Sequence, residues 1–402
     1  MTPTPALRFV NARIVRPDGV AEGELHVRDG VITDSPAPAA ETIDCGGKTL
    51  APGIVDLGVF AIDREAFRAG GIVRVGLMPD QSPVLDGPGL VQRSSLIGKP
   101  RLWIHPIAAA TKGLAGVDLA EMAIMKGAGA KAVSTGRRWI ADSGVMRKVL
   151  AYARDLDLAV ITHAEDGGLT DGKVATEGET ATRLGLPAAP AIAEALAIAR
   201  DVALAEETGA RLHIRQVTTA AGFDLIRAAK RRGVRVTCGI TPAHLLLSDN
   251  AMSDFRTFAH LSPPLRDESD RQAALAAVRD GTVDVLCSGH DPRGPEEKRL
   301  PFADAAEGAS GAETLLALSL SLELPIERLF ALLAANPAKV LGLDTGSLTP
   351  GMPGDLVLLD ETAPWQIKGD AMTARAGNTP FDGLPAQGKV LRLWKGGAEI
   401  VA

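Results

Sequence analysis

Eight apolar runs rich in β-branched residues, spaced along the middle of a 402-residue chain, restrict its fold more than any other feature. They span residues 54–60, 72–78, 102–108, 130–135, 159–163, 211–217, 234–240 and 283–287. Most of the gaps hold an Ala- and Leu-rich helical pattern, as at 145–155, 191–208, 222–231 and 270–279. A strand without polar alternation is buried on both faces, which is the situation of a parallel strand covered by helices. Eight such units over about 300 residues predict a (β/α)8 TIM-type barrel. A doubly wound sheet would carry a Gly-x-Gly-x-x-Gly turn after its first strand, and none follows the 54–60 run. In a barrel, functional side chains belong just beyond the C-terminal ends of the strands.

Both ends of the chain break this pattern. Residues 7–15 and 24–27 and Val31–Thr33 read as short strands, and so do 355–359, 389–394 and the final Ile400-Val401. Head and tail are expected to build one small β-sandwich domain, from 1–50 and 347–402, beside a barrel at 51–346. Lys and Arg number 43 against 49 Asp and Glu, a net charge of −6, the wrong sign for a phosphate-backbone binder. Aromatic residues are 3% of the chain, so platforms for stacking bases are scarce and nucleic acid is not an expected partner. No stretch approaches the roughly 20 apolar residues of a membrane span, and residues 1–15 lack a signal-peptide core. Cys45, Cys238 and Cys287 are too scattered for a disulfide framework or a thiolate zinc site, which fits a reducing cytoplasm.

Motifs gather at the predicted strand ends. They read Ala51-Pro52-Gly53-Ile54-Val55-Asp56, Leu77-Met78-Pro79, Asp142-Ser143-Gly144-Val145-Met146-Arg147, Ile161-Thr162-His163-Ala164-Glu165-Asp166, Val217-Thr218-Thr219, Pro263-Pro264-Leu265-Arg266, Pro301-Phe302-Ala303 and Asn378-Thr379-Pro380-Phe381-Asp382-Gly383. In this order, from about residue 20 to the end, the series resembles the dihydroorotase family of the amidohydrolase superfamily. The resemblance implies a metal-bearing (β/α)8 barrel with a β-domain made from both termini. It also implies reversible hydrolysis of the cyclic amide of dihydroorotate by a metal-bound hydroxide.

That reaction needs divalent metal held by imidazoles and carboxylates, with one position open to water. The family's His-x-His pair after the first strand falls on Gly58 and Phe60. Its bridging carboxylate or carboxylated lysine falls within Ser134-Thr135-Gly136, and its sixth-strand histidine falls on Gln216. His213, three residues before Gln216, is expected on the opposite face of the strand. The family's Asp before a His, both ligand and general base, is Gly289 before His290. Of the six metal positions His163 alone keeps a ligand, so no cofactor is expected.

Substrate-binding positions differ as well. The family's carboxylate-gripping Arg is Ile62, the Asn after Met-Pro is Asp80, the Asn before Pro-Pro-Leu-Arg is Ser262, and the final-loop His is Arg293. Together with His163 and His290 they outline a vestigial pocket. A lone histidine at a strand end more often hydrogen-bonds to a neighbour than holds a metal, and His290-Asp291 reads as a solvated loop. One of Glu165 and Asp166 is expected to cap the following loop, and Cys238 and Cys287 to be buried as small hydrophobes. Gly289 either admits a ligand or a neighbouring backbone, or is a simple truncation.

With metal and substrate positions both altered, the resemblance implies a catalytically inactive member. Such members accompany aspartate transcarbamoylase in pyrimidine biosynthesis, as a homo-oligomer within a hetero-oligomer. Two other readings stay open. One is an active amidohydrolase with a rebuilt mononuclear zinc site on His163 with His290 or Asp291, acting on another cyclic amide. The other is a module that binds a small molecule in the old active-site mouth.

Overall fold

The computed structural model describes residues 6–401; residues 1–5 and Ala402, parts of the terminal stretches assigned above, lie outside the described residues. Eight parallel strands stand side by side in chain order: Ile54–Val59, Ile72–Leu77, Trp103–Ala109, Ala132–Ser134, Ala159–Thr162, Arg211–Ile214, Val236–Ile240 and Val285–Leu286. Each lies within its predicted run or one residue beyond it. All six residues of the first strand and all six of the second are buried, which is why neither alternates. The first and eighth strands meet to close the barrel. Phe60 N–H donates to His290 O at 2.9 Å, and Ser288 N–H donates to the fully buried Asp56 carboxylate at 2.9 Å.

Helices cover the outside. Ser143–Asp155, Ala220–Arg231 and Glu268–Asp280 start on Asp142, Thr219 and Asp267, whose side chains each accept a backbone N–H of the first turn. Val75, Val149, Ile198 and Phe223 pack between strands and helices, whereas Val55, Leu57, Ile107, Ile161 and Val285 form a separate interior cluster. The interior is therefore a packed core with its functional end at the strand tips.

The two ends of the chain share the second large sheet. Thr49–Pro52 runs parallel to Leu7–Arg16 and antiparallel to Leu356–Gln366, so it joins head to tail. Phe9, Leu25, Ile43, Leu50, Leu356 and Trp394 form a core distinct from that of the barrel. One expectation is corrected here: the last strand is Ala398–Glu399 and not Ile400-Val401. The turn at Gly396-Gly397 pairs Ala398 with Lys395 and Glu399 with Trp394, while Ile400, just past the strand, donates one last N–H to Leu393 O at 2.8 Å and packs half-buried on the barrel's core. Among the described residues no helix is long and apolar enough to cross a membrane.

Candidate functional site

Arginines fill the barrel mouth. After the sixth strand ends at Ile214, Arg215 keeps one backbone bond to Thr162 O at 3.0 Å and sends its side chain across the opening. Its Nη2 lies 3.0 Å from His163 Nδ1, and its guanidinium carbon lies 5.0 Å from the centre of the Phe60 ring. Gly58 has φ +95°, and a Cβ there would sit 3.7 Å from Cδ of Arg215. A side chain longer than a methyl at Gly58 would thus meet the arginine stem. Arg137, from the loop after the fourth strand, places its guanidinium 3.7 Å from the Phe60 ring centre and pairs with Asp291 at 2.5 Å and Glu307 at 3.4 Å. The Phe60 ring therefore carries two guanidinium contacts.

His163 is engaged at both nitrogens. A guanidinium only donates, so Nδ1 accepts from Arg215. This bonding pattern assigns the ring proton to Nε2, which points to Glu165 Oε2 at 3.2 Å. The ring's one available lone pair, on Nδ1, is therefore taken and not free for a metal. Glu165 pairs in turn with Arg266 at 2.9 Å. Burial works against the charge of Glu165, but the bond from His163 and the charge of Arg266 draw its carboxyl down to about 2. Arg266 also donates to Thr218 and Thr176, while Glu194 accepts the backbone N–H groups of Thr218 and Thr219 at 2.9 and 2.8 Å. Asp166, beside Glu165, takes the capping role by accepting Gly168 N–H.

Of the remaining predicted positions, four meet at one cavity and the others stand apart from it. Phe60, Gln216, Ser262 and Gly289 line a cavity of about 40 Å³ together with Arg137, Arg215, Thr241 and His244. Ile62 packs half-buried on the barrel core, and Asp80 accepts the backbone N–H of Arg137 at 3.0 Å. Arg293 reaches Asp291 at 3.0 Å, so that carboxylate holds two arginines. Gly289 has φ +58°, and a Cβ there would lie 3.0 Å from the Thr241 methyl. It therefore makes the left-handed turn and admits a neighbouring side chain.

The solvated-loop expectation for His290 is corrected, because its ring is fully buried. The turn at Gly289 directs it inward, where Nδ1 accepts Ala312 N–H at 3.3 Å and Nε2 stands 3.6 Å from Asp63. Phe67 packs edge-on against it with ring centres 5.5 Å apart. His213 bonds Thr237 at 2.9 Å and lines a different cavity, with Asn336 and Lys339. Burial pushes the Cys287 thiol up to about 12, so it stays an inert small side chain.

The residues at the mouth do not fit a metal. In place of converging imidazoles and carboxylates stand two guanidinium groups, an aromatic ring and an amide. Among the described residues no group of three or more His, Cys, Asp or Glu side chains is placed to hold an ion. Two carboxylates near the mouth that could take a proton from water, Asp291 and Glu165, are each tied to arginine. Sequence reasoning passed over Arg215, Arg137 and Asp63. An arginine within the apolar 211–217 run was the signal for the first, because a buried strand does not carry one idly.

An eight-stranded parallel barrel joined to a sheet built from both termini is the architecture of amidohydrolases. The fold matches L-hydantoinase (dihydropyrimidinase) from Arthrobacter aurescens with TM-score 0.88 and 24% identity, covering 98% of this chain and 96% of that one. The dihydro-orotase-like family model matches residues 47–221. A dihydroorotase of Desulforapulum autotrophicum is 37% identical over 413 residues, 96% of each chain. One from Citrifermentans bemidjiense is 36% identical over 401 residues, 95% of this chain and 93% of the relative. This chain belongs to the dihydroorotase-like family of the amidohydrolase superfamily.

Proposed function

We propose that this protein is a catalytically inactive dihydroorotase homologue acting in the cytoplasm as a structural or regulatory partner of aspartate transcarbamoylase. Its place is de novo pyrimidine biosynthesis, as a homo-oligomer within a hetero-oligomer. The observation that carries this reading is the Arg215 guanidinium bonded to His163 at 3.0 Å. The single family ligand position that keeps an imidazole has that ring bound to a fixed cation. Inactive members of the family supply the partner role, and a whole fold retained around a filled site is of use for its shape or surface.

No observation favours a rebuilt mononuclear site. His290 faces Asp63, and Asp291 is shared by Arg137 and Arg293. The test combines metal analysis of the purified protein, a dihydroorotate hydrolysis assay and co-expression with an aspartate transcarbamoylase catalytic subunit. A zinc-free, inactive protein that co-purifies with the transcarbamoylase is expected. Stoichiometric zinc with turnover overturns the inactive reading, and a partner-free monomer without activity overturns the partner role.

A further inference from the structure

We infer that the barrel mouth binds a small hydroxyl-bearing oxyanion of bicarbonate size, held by the guanidinium of Arg215. This goes beyond the partner role and rests only on the metal-free reading of the mouth.

Arg215 is 4% exposed, and its side-chain polar contact is to the neutral acceptor His163 Nδ1. Its Nε is buried without a hydrogen-bond partner. Other buried arginines here have carboxylates: Arg266 has Glu165 and Glu194, and Arg74 has Asp355. A buried cation left uncompensated is costly, and a guanidinium does not escape by losing its proton. No carboxylate makes an ion pair with Arg215: Asp291 holds Arg137 and Arg293, Glu165 holds Arg266 and His163, and Asp80, which accepts from the Arg137 backbone at one oxygen and leaves Oδ2 unpartnered, acts on Arg215 only through its charge.

The cavity beside Arg215 sets the size and the chemistry. Its volume of about 40 Å³ suits a ligand of only a few heavy atoms. Gln216 lines the same cavity, and its Oε1 is a second buried atom without a partner. An oxygen anion answers Arg215, and an O–H on the same ligand answers Gln216 Oε1. Bicarbonate carries both, and formate carries only the first. Ser262 and Gly289, half-exposed at the rim, leave a way in.

The experiment titrates the purified full-length protein with sodium bicarbonate, sodium formate and inorganic phosphate at fixed ionic strength and pH 8. Calorimetry and melting temperature are followed, and zinc content is measured on the same samples. Saturable bicarbonate binding is expected, with formate roughly three- to tenfold weaker for one lost hydrogen bond, and no saturable phosphate binding. Arg215→Met abolishes binding, and Gln216→Leu brings bicarbonate down to the level of formate. Zinc-free protein that does not bind bicarbonate overturns this inference alone, whereas stoichiometric zinc overturns the metal-free reading beneath it. If Arg215→Met fails to fold, Gln216→Leu decides, since an unchanged preference for bicarbonate over formate overturns the proposal.

Discussion

Arg266 and Glu165 face each other at 2.9 Å with side chains only 3% and 6% exposed, fastening the segment after the fifth barrel strand to the one before Glu268–Asp280. Glu194, 3.5 Å from the same guanidinium, adds the long helix Ile192–Thr208 to this junction. Arg266→Met would strand two buried carboxylates, and we expect a loss of about 3–5 kcal/mol. Glu165→Gln keeps the shape and removes one charge, and should cost less. Urea unfolding midpoints of the two variants provide the comparison.

Acid should weaken the fold from just below neutrality. Burial holds His105 and His213 down to about 3 and His244 to about 4. The folded chain keeps these rings uncharged, while the unfolded chain takes up protons below about 6.5. Their contribution is complete above that pH and falls by about 1.4 kcal/mol per group for each unit below it. Glu165, drawn down to about 2, gives up its share between about 4.5 and 2. Asp201, pushed up to about 6 by burial, acts in the opposite sense and loses its contribution as pH rises through 6. Unfolding free energies from pH 8 to 4.5 should decline with a slope of more than one proton, and His244→Gln should reduce that slope by about one. A flat profile would count against the buried neutral histidines.

The Phe60 ring organises the mouth through its two guanidinium contacts. Phe60→Leu keeps most of the apolar volume and removes the aromatic face, for an expected loss of about 1–2 kcal/mol. Phe60→Ala adds a cavity and should cost about 3–5 kcal/mol. A double-mutant cycle of Phe60→Leu with Arg137→Met isolates the shared part, and additive losses would show that the 3.7 Å contact contributes little.

Adding the family's ligand types should not bring in metal. A triple variant, Gly58→His with Phe60→His and Gly289→Asp, still meets Arg215 on His163 and forces side chains onto positive φ at Gly58 and Gly289. We expect a destabilised protein without stoichiometric zinc. Zinc uptake by the triple variant with Arg215 intact, measured by elemental analysis, would refute the claim that the guanidinium blocks the seat.

The barrel was legible because Ile54–Val59 and Ile72–Leu77 are buried on both faces, which writes continuous apolar runs into the sequence. That Gly58, Phe60, Gln216 and Gly289 are not metal-ligand types was legible. The arrangement the mouth holds was not, because the use of a cation depends on long-range contacts. Arg137 meets Asp291 across 154 positions of sequence, and Arg215 meets His163 across 52. The burial of His290 was hidden for the same reason, since Asp63 and Ala312 lie far from it along the chain. At the C-terminus, apolar Ile400-Val401 looked more strand-like than Ala398–Glu399, but the two-glycine turn set the register.

The arginine stem lying along Gly58 also limits how a ligand set could be built at this mouth. An added side chain at Gly58 meets that stem on a left-handed backbone, one at Gly289 also meets a left-handed backbone, and His163 is already bonded to Arg215. A metal seat would require Arg215 to leave and several ligands to arrive together, so the surface of this fold can vary more freely than its mouth.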